Sequence, residues 1–305
     1  MPHPLNRRTW QIAVITLLFV AVYVGIRNVP VKQCNFLHYR DYLGKDGAIE
    51  ECSIGETDFF NLEDLRYPVK IDLTASAPVV AGVRTEFTLR LANSMGNPIP
   101  AEELAINHTE RLHLLIVDDS LSDYQHLHPV ATGIPGEFTF TMAPVHGGRY
   151  SVYYDFIPLK SGRRTLAVTT FTAGGPHAGD YTAQPHSTTN VETALDGIRY
   201  TLTLMSTPNA PRGANASLDI QLSASRPEPI IYEPVMGAYA HVVAFAPGRS
   251  GFAHLHPLNP FLAKQDPRAP DLSFRFSPGT SGNYRLWAQV KIDGRERFVP
   301  FDVTL

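Results

Sequence analysis

The chain has 305 residues and a formal charge of −3, with 44% hydrophobic residues and only 18% charged ones. At about 150 residues per domain the length suggests two domains. The balanced charge leaves no basic footprint for nucleic acid, and the apolar content excludes wholesale disorder. With 25 prolines and 22 glycines, short strands joined by turns are favoured over long salt-bridged helices, so the expected fold class is all-β.

In chain order, residues 1–9 carry Arg7 and Arg8 and read as a cytoplasmic N-terminus. The apolar run that follows (WQIAVITLLFVAVYVGI) ends at Arg27. As a helix it would reach about 25 Å, close to the hydrocarbon thickness of a bilayer. Segment 10–27 therefore reads as a membrane anchor or a signal segment. No clean small-x-small cleavage site follows it, which favours the anchor, and the arginine pair ahead of it places the bulk of the chain outside the cytoplasm. Residues 28–66 form a polar connecting segment that holds the only two cysteines, Cys34 and Cys52. Two cysteines without a CxxC exclude thiolate zinc sites, iron–sulfur clusters and cysteine-ligated blue copper. A single Cys34–Cys52 disulfide is compatible with an oxidising compartment.

From residue 67 to 172 the pattern alternates. Predicted strands at 69–73, 86–91, 113–117, 124–128, 137–141, 150–156 and 165–171 are separated by Gly, Pro, Asn, Asp or Ser clusters. That number of strands fits one immunoglobulin-like or cupredoxin-like β-sandwich. Residues 173–196 have a linker composition, and strand signals resume over 197–305 as a second sandwich.

The second half repeats the first. LHLLIVDDSLSDYQHLHP ends at Pro129 and AHVVAFAPGRSGFAHLHP ends at Pro257, each with a histidine, twelve intervening residues and then His-x-His-Pro. The strand that follows also recurs, Gly148-Arg149-Tyr150 answering Gly282-Asn283-Tyr284. Two tandem copies of one fold follow. The longer stretch 258–271 in the second copy reads as a surface-loop insertion.

The repeated element predicts a hairpin. His126 and His128 project on one face of a strand, and so do His254 and His256. With the second copy's turn near Gly248-Arg249, His241 lies across from His256 and Val243 across from His254. The same register sets His113 opposite His128. Three neutral imidazoles converging in each copy make a site for Cu(II) or Zn(II). The metal ligands expected in the first domain are His113, His126 and His128, and in the second His241, His254 and His256. A fourth position is open to water, His108 or Asp155 in the first domain. The second offers Gln289 where the first has Asp155, and Met236 as a soft contact. With methionine scarce, Cu(I) capture is less natural than Cu(II) or Zn(II). Binding should weaken below about pH 6, because imidazoles must lose their protons to coordinate. The competing reading is structural: the same face carries Leu115, Val117 and Tyr124, or Val243, Phe245 and Phe252, so it packs against a core or an interface. Tyr150, Tyr153, Tyr154, Tyr284 and Trp287 are expected in the sandwich cores and tyrosine corners. His3, His38, His146, His177 and His186 have no partner at ligand spacing. No GxSxG, Walker loop or GxGxxG occurs.

The His-x12-His-x-His-Pro elements and the G-x-Y strands after them resemble a group of bacterial extracytoplasmic β-sandwich proteins, loosely YtkA-like, associated with heavy-metal or copper handling. The resemblance covers residues 67–172 and 197–305. It implies an envelope location and a metal role, but no reaction. The resulting expectation is a non-enzymatic, membrane-anchored module for copper (or zinc), with one tri-histidine site per domain, serving delivery or sequestration beside an envelope metalloprotein partner. Two alternatives stay open: a scaffold with structural histidines, and a copper-dependent oxidoreductase.

Overall fold

In the computed structural model the described residues are 7–28, 42–43, 49–51, 59–62, 68–182, 189–206, 218–246, 248–259, 262–278 and 280–305. The two cysteines, with the disulfide expected of them, lie outside the described residues, as do His3, His38 and His186. The chain divides into two compact units, 1–38 and 39–305. Among its described residues the first holds one helix, Arg7–Asn28. Leu17 and Phe19 on it are 68% and 73% exposed, and from Trp10 onward apolar side chains lie on every side of it, the pattern of a core helix or a membrane span. By length and composition its stretch Arg7–Gly25 is able to cross a membrane.

Among its described residues, the regular elements of the second unit are strands and two short 3-10 turns. It opens with the pair β1 (Tyr42–Leu43) and β2 (Ile49–Glu51) and the short β3 (Phe60–Asn61). The first domain follows with β4 (Val69–Ala75), β5 (Thr85–Asn93), β6 (Leu112–Asp118), β7 (Tyr124–Leu127), β8 (Val130–Ala131), β9 (Glu137–Met142), β10 (Gly148–Phe156) and β11 (Thr165–Ala173). One sheet runs β4-β5-β9-β8 and the other β11-β10-β6-β7. Between them Phe87, Leu89, Phe138 and Phe140 meet Leu114, Ile116, Val152 and Tyr154. This is the alternating inward set that the sequence pattern requires of a sandwich.

The second domain repeats the plan with β12 (Asn190–Leu195), β13 (Ile198–Ser206), β14 (Leu218–Ser225), β15 (Tyr232–Glu233), β16 (Ala240–Phe245), β17 (Gly251–Leu255), β18 (Ser273–Phe276), β19 (Asn283–Ile292) and β20 (Arg295–Thr304). One sheet is β12-β13-β14-β18. In the other, β20 pairs with β19, then β16, β17 and β3 follow in turn. Two features depart from the expected boundaries. The stretch read as linker contains β12, whose Val191 is buried in the second core. The connecting segment lends β3 to the second domain, although it precedes the first in sequence. Gly251 is required for that pairing: a Cβ there would lie 1.6 Å from the Phe60 carbonyl oxygen.

β6 is buried at every position. Its even residues enter the first core, and its odd residues face the second domain. β16 is buried throughout as well. The outer face of β10-β6-β7 packs on the outer face of β19-β16-β17 through Tyr124 against Phe245 and Trp287, and Tyr153 against Phe245 and Phe252. Tyr153 and Trp287, expected in the sandwich cores, are thus interface residues. They alternate with the true core tyrosines, Tyr150 and Tyr154 in one domain and Tyr284 in the other. Tyr150 and Tyr284 are tyrosine corners, each donating its hydroxyl to a carbonyl four residues upstream, His146 at 3.1 Å and Thr280 at 2.8 Å.

Candidate metal centre

The register in both hairpins is the expected one. Leu114 pairs with Leu127 and Leu115 with His126, while Val242 pairs with Leu255 and Val243 with His254. One step further, this sets His113 opposite His128 and His241 opposite His256. On the other side of the same strands, His113 pairs with Asp155 and His241 with Gln289. Each triplet is therefore a ladder row at the open end of a hairpin, on the sheet face turned toward the other domain. His113, His126, His241 and His254 are buried; His108, His128 and His256 are only partly covered and form the accessible rim.

In the first domain the ring nitrogens point at one another. His113 Nε2 faces the Asn107 carbonyl oxygen at 3.0 Å, an acceptor only, so the His113 proton belongs on Nε2 and its Nδ1 carries a lone pair. His126 Nδ1 faces Gln289 Oε1 at 2.9 Å, and Gln289 is oriented by donating its amide to Glu296. By the same rule the His126 Nε2 carries a lone pair. Those two nitrogens, His113 Nδ1 and His126 Nε2, face each other at 3.2 Å with no proton of their own to share. His128 Nε2 lies 3.2 Å from the same His113 Nδ1. Metal–nitrogen bonds of 2.0–2.1 Å in a tetrahedral site put ligands about 3.3–3.4 Å apart. The spacing of these imidazoles is that of a ligand set, and Asn107, Gln289 and Glu296 are the outer partners that hold ligand tautomers in place.

The second group differs from expectation. His108, His241 and His256 present ligand nitrogens within 4.8 Å of one another, as do His113, His126 and His128. His108 comes from the first domain, so this site is shared across the interface and not confined to one copy. Its ring centroid is 3.8 Å from that of His256. His254 packs 4.6 Å from the His256 ring, but its Nδ1 turns toward Asp155, 3.6 Å away. Asp155, weighed as a fourth ligand, is committed elsewhere: Arg164 grips both its oxygens from a buried position. Burial alone would raise the Asp155 pKa, but the Arg164 guanidinium and then His254 hold it well below the usual carboxylate range. Among the described residues, both ring nitrogens of His241, His254 Nε2 and His256 Nε2 are buried without a hydrogen-bond partner. Such orphans are costly and are rare enough to demand an explanation; a metal ion is one. His177 sits apart, its Nδ1 accepting from the Gly179 amide at 2.8 Å.

Burial sets the protonation. It lowers His113 to about 3, against the raising pull of Asp155, and His128 to about 4, helped by His254. His108, His126, His241 and His256 are also pushed well below the ordinary value, burial being the largest cause in each. The cluster is thus held neutral and ready to coordinate at pH values where free imidazole is charged, and the competition from protons expected near pH 6 moves lower. The cost appears in stability. These histidines take up protons near pH 6.5 in the unfolded chain but not in the folded one, so the metal-free protein loses stability as pH falls from about 6.5 toward the folded values. At pH 5.5 the loss is about 1.4 kcal/mol for each histidine so shifted. Urea midpoints of chelator-stripped protein at pH 7.5, 6.5 and 5.5 should fall in that order; a flat series would contradict the buried, neutral cluster.

From the sequence His108 is only a candidate fourth ligand within its own domain, and Gln289 only the counterpart of Asp155. Arg164 and Glu296 carried no signal, since each acts through a residue that tertiary packing delivers.

Fold and site together define a tandem β-sandwich protein with a histidine cluster at the interface of its two domains. The chain belongs to the family described as a domain of unknown function, DUF8832, which matches twice, over residues 66–181 and 192–305. Among the curated proteins none matches. Among solved structures, the chain is similar to a crystal structure of the Parabacteroides merdae β-glucuronidase with glycerol in its active site, at 10% identity and a TM-score of 0.19, covering 76% of this chain and 24% of that one. The chain spans about a quarter of that enzyme's length, and a superposition so weak carries no argument about fold or activity.

Proposed function

We propose that this protein is a membrane-anchored, extracytoplasmic metal-binding module that holds copper between its two domains, for delivery to or sequestration from an envelope metalloprotein partner. The carrying observation is the 3.2 Å approach of His113 Nδ1 to His126 Nε2 and to His128 Nε2, with the outer partners of His113 and His126 fixing lone pairs toward a common point. A metal supplies the charge that such a convergence lacks. Nitrogen-only sites suit Cu(II) and Zn(II), and Cu(II) binds the more tightly of the two on a given ligand set. The apolar N-terminal helix supports membrane attachment, and the arginines before it support a cytoplasmic N-terminus.

The test is metal analysis of the full-length protein in detergent, stripped with chelator and titrated with Cu(II) and Zn(II), beside the His128→Ala/His256→Ala double variant. Two equivalents of metal should bind to the wild type and none tightly to the variant. Equal uptake by both proteins, or no uptake by a folded wild type, would overturn the metal reading.

A further inference from the structure

The two domains meet through an approximate two-fold relation. His126 contacts Gln289 across the interface at 2.9 Å; in the mirrored position His254 faces Asp155 at 3.6 Å. Tyr124 packs on Trp287 with ring centroids 5.7 Å apart, and its counterpart Phe252 packs on Tyr153 at 5.3 Å. Within each triplet the geometry repeats as well: His113 and His128 are 4.9 Å apart at 87°, His241 and His256 5.2 Å apart at 86°.

His108 occupies the first turn position of a two-residue hairpin closed by Asn107 and Glu110, with His108 at φ 48° and Thr109 at φ 72°. Five residues on comes His113. In the second domain the same hairpin is closed by Val235 and Ala238, with Met236 at φ 48° and Gly237 at φ 78°, and five residues on comes His241. The closing hydrogen bonds match too, 2.7 and 3.0 Å in one domain and 2.8 and 3.1 Å in the other. A left-handed position in such a turn favours Asn, Asp or Gly. The second domain keeps glycine at the next position, yet holds a methionine where that backbone is unfavourable for it, a form of strain that collects at functional positions. His108 reaches across the interface to the group of the opposite domain, against His256. By the two-fold relation, the counterpart of the His108–His256 contact is a contact of Met236 with His128.

We infer that Met236 supplies a thioether ligand to the His113–His126–His128 group, so that the two sites are chemically unlike: one mixed nitrogen–sulfur, the other, with His108, all nitrogen. This rests on the metal reading above. A thioether is a soft donor and favours Cu(I), whereas imidazoles alone suit Cu(II) or Zn(II). One interface then holds a site for each copper oxidation state, which reverses the preference for Cu(II) or Zn(II) alone that the scarcity of methionine suggests.

The test uses the full-length protein in detergent with Met236→Leu, which conserves volume, and Met236→Cys, which restores a sulfur. Cu(I) is supplied anaerobically against a colorimetric Cu(I) chelator, and the metal environment is read by X-ray absorption. The wild type should show a sulfur scatterer that Met236→Leu lacks and Met236→Cys regains. Cu(I) affinity should fall about tenfold or more in Met236→Leu, on the scale of lost metal-site contacts, while both equivalents of Cu(II) are retained. Two bound equivalents with no sulfur scatterer, or an unchanged Cu(I) affinity in Met236→Leu, would overturn the role of Met236 and leave the histidine sites standing. A wild type that binds neither copper ion would overturn the histidine sites and, with them, this assignment.

Discussion

Replacing His241 with leucine is expected to stabilise the metal-free protein by about 1–3 kcal/mol, the desolvation cost of a buried group without partners, while removing one of the two metal equivalents. Both ring nitrogens of His241 are buried with no hydrogen-bond partner among the described residues, and leucine fills a similar volume without polar atoms. His113→Leu should do the opposite in the metal-free state. That ring is bonded to the Asn107 carbonyl oxygen at 3.0 Å, and its loss leaves that carbonyl with the Glu110 amide alone, costing about 1 kcal/mol for the hydrogen bond removed. Metal loading should cancel or invert the first result, because a ligand bound at a hundred times its Kd adds about 2.7 kcal/mol to the wild type. Urea denaturation of both variants, with chelator and with Cu(II), checks the pair. If His241→Leu destabilised the stripped protein as much as His113→Leu does, His241 would be a structural histidine and the second site would lose its basis.

Asp155→Ala is expected to cost about 3–5 kcal/mol, because it takes away the carboxylate that Arg164 grips through both oxygens from a buried position. Arg164 and Asp155 have side-chain exposures of only 4% and 1%, so water does not replace the lost partner. Removing both charges together, Asp155→Ala with Arg164→Met, should recover most of that loss, since the two substitutions act on one contact and are not additive. Metal uptake by the double variant should stay at two equivalents. Calorimetric melting of the two single variants and the double variant, with a metal count for each, gives the decision. A single variant that melts like the wild type but has lost an equivalent of metal would make Asp155 a ligand and not the anchor of Arg164.

Much of the site is legible in the sequence. The duplicated His-x12-His-x-His-Pro element predicts the register of both hairpins, because an antiparallel pair with a short turn has few alternatives and a slip of one residue would send His113 or His241 to the opposite face. The same pattern exposed the ambiguity of that face: Leu115, Val117 and Tyr124 beside the histidines are too apolar for solvent. What covers them was not legible, and neither sandwich core contains them. The second copy covers them, so Tyr153 and Trp287, read as core, are docking residues.

The sequence by itself determined the all-β class, the tandem repeat, the apolar N-terminal segment and the rows in which the histidines stand, because all of these follow from periodicity and spacing along one chain. The tertiary structure alone decided that the two triplets face each other, that His108 crosses to His241 and His256 while His254 turns to Asp155, and that Gln289 orients His126. It also moved β12 and β3 into the second domain against their apparent boundaries. The physical reason is common to these cases. Hydrogen-bond register within a hairpin is local and leaves its mark on neighbouring residues, whereas the docking of two buried sheet faces depends on shape and apolar area summed over distant strands, and no single spacing in the sequence records it.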